Sequence, residues 1–519
     1  MPVRSLAAVA ALIGATLAVP APAAAQPAAA ISWGPCALAE IATVPPEERF
    51  RFSCTTYVVP LDYDHPDRGS ITLALMRRSA NDQAHRIGSL FLNPGGPGVS
   101  GYRLPTIPTR FLQQRVADRF DLIGFDPRGV ARSTPLRCFL TEEDADAVFA
   151  RLELLIPLTP QEERQTLDAL RDYWGFCDRF AGPLLDEMST KNVALDLDRL
   201  RAAVGDVTLN YVGLSYGTMI GATYVNLFPD RSRAIVLDAN IDPDLRTHDG
   251  LEYMRQRAGG FELAVDAFLR RCAAAGTACA FSAGDPRAKY DELRAHLRGV
   301  GPITLPDGTV VTFETFVDAI VGAGVFQAAA LAPMARALQE LYDVLHPPAP
   351  VDTRAVRTLL GKPDVRPHLA QDTPYTGTDV NPAVSCTDEP YRIRPNQISP
   401  LADRWERQLP TFGRLYAWAN PAGCVYAPLG HRDVYSGPWH RRTPNPVLLF
   451  GNFYDPATPF AFSERLAGEL GNSRLVGVDA FGHTILGRST CTGDIASTYL
   501  LELRLPGPGT VCQPDVQPF

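Results

Sequence analysis

Three side chains in this sequence have the types and order needed to run acyl transfer. Ser215 is the middle residue of "GLSYG", Gly213 to Gly217. A serine hydroxyl of ordinary pKa attacks a carbonyl only with a base beside it, and that base needs an acid to orient it. The flanking glycines suit a turn too tight for side chains. Such a turn lifts the serine oxygen above a sheet edge and aims a helix N-terminus at it. A serine here could equally cap the helix. The flanks favour the nucleophile: "VTLNYVG" is β-rich, and "TMIGATYVNLF" (Thr218 to Phe228) has helical character until Pro229 stops it. A nucleophile elbow requires that strand–turn–helix setting.

The base and acid are sought downstream, in the order serine, acid, histidine. Of nine histidines, His483 stands apart, in "DAFGHT" directly after the apolar strand "RLVGV". The acid is Asp455, in "LLFGNFYDPATP", a loop between a strand and a helix starting near Pro459. Asp238 and Asp242, after the preceding strand, are rivals, and Asp238 is the more serious. Asp479 lies too close along the chain to His483 for an easy approach. An oxyanion needs two backbone N–H donors. The residue after the nucleophile, Tyr216, supplies one, and the glycine-rich "NPGGPGVSG" supplies the other at Gly96. The "DPRG" segment (Asp126 to Gly129) reads as a brace, with Arg128 paired to a carboxylate beneath it.

Positioning these residues takes a parallel sheet. "YVVPLDY" and "ITLALMRRSA", separated by "DHPDRGS", predict an antiparallel hairpin. Apolar strands at Ser89 to Leu92 and Phe120 to Phe125 follow, then a helix over Asn192 to Gly205 and the elbow. Strands alternating with helices imply a sheet covered on both faces. The rhythm breaks near Thr247 and resumes near 441, so a mostly helical insertion of about 190 residues interrupts the sheet domain. The expected boundaries are a leader at 1–25, a first core part at 31–246, the insertion at 247–440 and a second core part at 441–519.

The leader has a basic residue at Arg4, an apolar run from Leu6 to Val19 and small residues before Gln26. This predicts a cleaved export signal, the run being shorter than the roughly 20 residues that span a bilayer. Export places the ten cysteines in an oxidising compartment. Paired in sequence order they give five local bridges: Cys36–Cys54, Cys138–Cys177, Cys272–Cys279, Cys386–Cys424 and Cys491–Cys512. No C-x-x-C or tight Cys/His cluster suggests a metal, and no cofactor is expected. The net charge of −8, without a long basic run, argues against a nucleic-acid partner.

Taken together, "LNPGGPGVSG", "GFDPRGVARSTP", "YVGLSYGT", "AVSCTDEP", "GNFYDPATP" and "FGHT" resemble the secreted tripeptidyl aminopeptidases of actinomycetes and related bacteria, within the proline iminopeptidase group of α/β-hydrolases. The resemblance runs from about Trp33 to Cys512. It implies an α/β-hydrolase fold: a mostly parallel, doubly wound sheet with a large helical cap. It also implies a triad, carried here by Ser215, Asp455 and His483, and an exopeptidase whose cap admits only chain ends. Proline iminopeptidases usually carry His before the paired glycines, where this chain has Asn93-Pro94. That departure favours the tripeptidyl branch.

The expected function is a secreted serine exopeptidase releasing short peptides, tripeptides by the resemblance, from free N-termini. The alternative is a secreted carboxylesterase acting on small acyl esters. A catalytically dead binding module is disfavoured by the complete triad. Acidic groups facing the cap cavity favour the peptidase, and a wholly apolar cavity the esterase. An aminopeptidase must hold a charged amine, and "CTDEP" offers Asp388 and Glu389 for it, unless that stretch is an ordinary solvated acidic turn. The expected partner is a peptide substrate, with no membrane anchor after signal cleavage. The oligomeric state stays open.

Overall fold

Ten strands, the central ones buried along nearly their whole length, build one sheet whose carboxyl edge carries the site. The computed structural model describes residues 30–347, 352–361, 373–429 and 433–519. The expected leader lies outside the described residues. The main-sheet strands are β1 (Gly34–Pro35), β2 (Phe52–Pro60), β3 (Ser70–Arg78), β4 (Gly88–Asn93), β5 (Phe120–Phe125), β6 (Leu209–Leu214) and β7 (Ser232–Asp238). A separate small hairpin, β8 (Ile303–Thr304) and β9 (Val310–Val311), comes next. The main sheet then finishes with β10 (Val447–Tyr454), β11 (Ser473–Phe481) and β12 (Val511–Cys512).

The sheet order is β1-β2-β3-β5-β4-β6-β7-β10-β11-β12. The β2–β3 hairpin is antiparallel, and β3 also runs antiparallel to β5. From β5 to β12 every neighbouring pair is parallel. Parallel strands are covered on both faces, and alternate residues divide accordingly. Leu90, Leu92, Val212, Val236, Phe450 and Val478 join one apolar cluster, while Phe91, Tyr211, Leu237 and Leu449 join another. The chain reverses direction across the sheet around β4, and in such sheets the crevice beyond the strand ends is the usual ligand site.

Between β7 and β10 the chain leaves the sheet and forms the cap. Its long helices include Gly250–Ala275, Pro286–Gly299, Leu331–Leu345 and Ile398–Gln408. A second helical excursion, between β5 and β6, docks onto it. Its helices are Glu142–Leu152 and Pro160–Phe180. Trp174 donates its indole N–H to the Gly423 carbonyl, Tyr173 hydrogen-bonds Asp379, and Ser399 donates to Glu163. Residues 142–180, assigned to the core by their place before β6, therefore pack as part of the helical layer. Sequence rhythm alone does not reveal a contact between segments so far apart.

The ten cysteines form the five sequential pairs, Cys36–Cys54, Cys138–Cys177, Cys272–Cys279, Cys386–Cys424 and Cys491–Cys512. Bridges of this kind typically stabilise by about 2–4 kcal/mol. Among the described residues, no helix is long and apolar enough to cross a membrane.

Candidate active site

Ser215 occupies the sharp turn between β6 and the helix Tyr216–Leu227, with φ 55° and ψ −123°. A non-glycine residue at positive φ is strained and persists only where its surroundings hold it. Here the Ser215 N–H donates to the Asp238 carbonyl (2.9 Å), and its own carbonyl accepts from Thr218 Oγ1 (2.6 Å). The flanking glycines are steric requirements. A Cβ on Gly213 would lie 2.4 Å from the Gly217 carbonyl oxygen, and one on Gly217 would lie 2.9 Å from Asn93.

The acid and histidine meet across two adjacent strand ends. Asp455 follows β10, His483 follows β11, and both are buried. His483 Nδ1 lies 3.0 and 2.9 Å from the two Asp455 carboxylate oxygens. Asp455 accepts only, so Nδ1 carries the proton and Nε2 keeps its lone pair as a base. The carboxylate is fixed from below by the N–H groups of Ala457 (2.9 Å) and Thr458 (3.0 Å) and by the Thr458 hydroxyl (3.0 Å). Asn452 clamps the histidine loop by donating to the carbonyls on either side of it, Gly482 (2.8 Å) and Thr484 (3.0 Å). The His483 N–H donates to the Phe326 carbonyl of the cap (2.9 Å).

The oxyanion loop after β4 closes against the elbow. A Cβ on Gly95 would lie 2.9 Å from both the Ser215 Cβ and the Tyr216 nitrogen. The Gly95 N–H is already used by the Asn93 side chain (2.9 Å). Among the described residues, neither the Gly96 nor the Tyr216 N–H donates to a protein acceptor. Asp126 braces this loop by accepting from Ser100 Oγ (2.5 Å) and the Tyr102 N–H (3.2 Å). Arg128, fully buried, makes a bidentate pair with Asp196, both bonds at 2.8 Å. The "DPRG" segment is thus a brace and not a reacting group.

Ser215, Gly96 and Thr458 line one cavity of about 500 Å³ under the cap. The cap contributes four charged side chains to its wall: Arg246, Arg257, Asp318 and Glu389.

With this geometry in view, the likeness to known proteins becomes specific. Residues 88–278 match the family model described as alpha/beta hydrolase fold, and residues 409–512 match the one described as TAP-like protein. The chain is 32% identical over 478 residues to serine protease Hip1 of Mycobacterium tuberculosis, covering 88% of this chain and 87% of that one. It is 31% identical over 472 residues to tripeptidyl aminopeptidase of Streptomyces lividans, covering 90% and 84%. Carboxylesterase B of Mycobacterium tuberculosis is 30% identical over 489 residues, covering 89% and 86%. The chain belongs to the TAP-like α/β-hydrolases. It is a serine hydrolase.

In this TAP-like hydrolase the two acids of "CTDEP" are not a solvated turn, for both are buried. They also part company. Glu389 lines the cavity, but Arg246 lies 3.0 Å from one of its oxygens while Tyr391 and Asn420 donate to the other. Asp388 is not among the cavity's lining residues. It accepts from the Thr190 N–H (3.1 Å) and the Thr190 hydroxyl (2.5 Å). That hydroxyl lies 2.6 Å from the Tyr216 hydroxyl. Since Thr190 donates to the carboxylate, Tyr216 must donate to Thr190. Asp388 therefore sits at the end of a chain that reaches Tyr216 from behind, away from substrate. Burial raises its carboxyl pKa, opposed by nearby Arg246 and by Thr190.

Sequence reading missed Thr458, Asn452, Arg246, Arg257 and Asp318. Thr458 had a signal, because Asp-x-x-Thr at a strand end is a local side-chain-to-backbone turn. Asp318 had a weaker one, as the lone acid within the apolar stretch "FVDAIVGAGVF". The two arginines had none.

Proposed function

We propose that this TAP-like hydrolase is an exported serine exopeptidase that releases short peptides, tripeptides foremost, from free N-termini. Ser215 Oγ attacks the scissile carbonyl while His483 Nε2 takes its proton. Asp455 holds the ring in the required tautomer and stabilises the imidazolium. The Gly96 and Tyr216 N–H groups receive the oxyanion. His483 then protonates the leaving amine, and water, deprotonated by the same nitrogen, frees the peptide from Ser215. The five disulfides support export.

The observation that carries the peptidase reading is the charged cap wall. A cavity lined by Arg246, Arg257, Asp318 and Glu389 suits a polar, charged peptide end better than a small neutral ester. The names of the Hip1 and tripeptidyl aminopeptidase relatives favour the same class, and that of carboxylesterase B favours the ester.

The test is a panel of aminoacyl-, dipeptidyl- and tripeptidyl-anilides with free and acetylated N-termini, beside short-chain nitrophenyl esters. The free tripeptidyl substrate is expected to give the highest kcat/KM, and Ser215→Ala to lose about 10⁶-fold. Equal cleavage of acetylated and free peptides would sink the aminopeptidase reading. Cleavage of esters alone would replace it with the esterase.

A further inference from the structure

The four charged side chains of the cavity wall are not equivalent. Arg246 and Glu389 pair with each other. Arg257 donates to the Ala457 carbonyl (3.1 Å) and lies over the Tyr253 and Tyr416 rings. The Asp318 carboxylate, among the described residues, has no hydrogen-bond donor and no cation. Its surface is open, yet burial alone raises its carboxyl pKa. It lies on the wall of the cavity that Ser215 also lines. It also sits on a π-helical stretch, Phe316–Gly322, and such stretches cluster at functional sites.

The π-helical stretch continues into the helix Ala323–Phe326, which ends at the Phe326 carbonyl that holds the His483 N–H. Asp318, Phe326 and Ser215 line the same cavity. One substrate can therefore place its ammonium at Asp318 and its scissile carbonyl at Ser215.

We propose that Asp318 anchors the substrate's free ammonium. This rests on the aminopeptidase reading above and names the residue that reads the amine. It displaces Glu389, whose carboxylate is paired with Arg246 and accepts from Tyr391 and Asn420, and Asp388, which is not among the cavity's lining residues.

The experiment compares wild type, Asp318→Asn and Glu389→Gln on free and acetylated tripeptidyl-anilides. Titration with a phosphonate serine probe normalises each preparation to its competent fraction, so misfolding does not count as lost recognition. Asp318→Asn is expected to lower kcat/KM on the free tripeptide at least about tenfold. It is also expected to bring the free-to-acetylated ratio toward one. If Asp318→Asn keeps the wild-type ratio, or if only Glu389→Gln collapses it, the proposal is overturned while the aminopeptidase reading stands. If wild type itself makes no distinction between free and acetylated peptides, both fall.

Discussion

Asp238 and Asp455 end adjacent parallel strands, are equally buried and approach the same histidine loop, yet only one faces the imidazole. Asp238 closes β7 and turns one oxygen to the backbone N–H groups of Ile485 (2.8 Å) and Leu486 (2.9 Å), just beyond His483. Asp455 takes its backbone bonds from its own loop, at Ala457 and Thr458, and presents its other edge to His483 Nδ1. One acid holds the loop and the other holds the ring. The difference lies in where the donors come from: the Asp238 oxygen is turned to the backbone beyond the histidine, and the Asp455 carboxylate to the imidazole itself. Burial raises the Asp238 carboxyl to about 6, against the opposing bonds from Leu486 and Ile485. Asp388 and Glu389 repeat the contrast in the cap, one braced behind Tyr216 and the other open to the cavity.

The largest effect expected from breaking this division is at Asp455. Asp455→Asn keeps the shape but favours the wrong imidazole tautomer, so kcat is expected to fall on the order of 10⁴-fold. Asp238→Asn should cost far less in kcat. If the two kcat losses are interchanged, the assignment of ring-holder and loop-holder is reversed.

Asp238 should instead declare itself in stability against pH. Its folded carboxyl titrates near 6 and its unfolded one near 3.8. The folded state thus binds the proton more tightly, and stability falls as pH rises between those values. The loss reaches about 3 kcal/mol above pH 6. Urea unfolding at a series of pH values should show this decline in wild type and not in Asp238→Asn. Parallel curves across pH 4 to 6 would mean that Asp238 is not buried as an acid.

The smallest effect sharpens the cap half of the comparison. Thr190→Val removes the hydroxyl between Asp388 and Tyr216 and leaves both without that partner. A loss of about 2 kcal/mol is expected in chemical unfolding. Its effect on catalysis should appear in kcat and not in KM, since Tyr216 is a candidate oxyanion donor and Asp388 does not touch the cavity. A rise in KM with kcat intact would instead put Asp388 at the substrate.

By itself the sequence determined the parts whose physics is local. The elbow was legible at "GLSYG" because only glycine tolerates the backbone contacts at Gly213 and Gly217. Strand-end positions were legible for Asp455 and His483 because apolar runs of strand length precede them, and the sequential cysteine pairing because partners lie near along the chain. What tertiary structure alone decided is which neighbour each polar group finds. Whether Asp238 or Asp455 meets the histidine depends on the donors that converge on each carboxylate. Residues 142–180 join the helical layer through contacts with residues more than two hundred positions away, such as Trp174 with Gly423. Among the described residues Asp318 faces the cavity unpaired, while Glu389 is claimed by Arg246 and Asn420, which lie far from it in the chain, and by its near neighbour Tyr391. Side-chain type and spacing set what chemistry was possible. Packing set which carboxylates were left free to do it, because a buried acid is committed by whichever donors reach it in the fold.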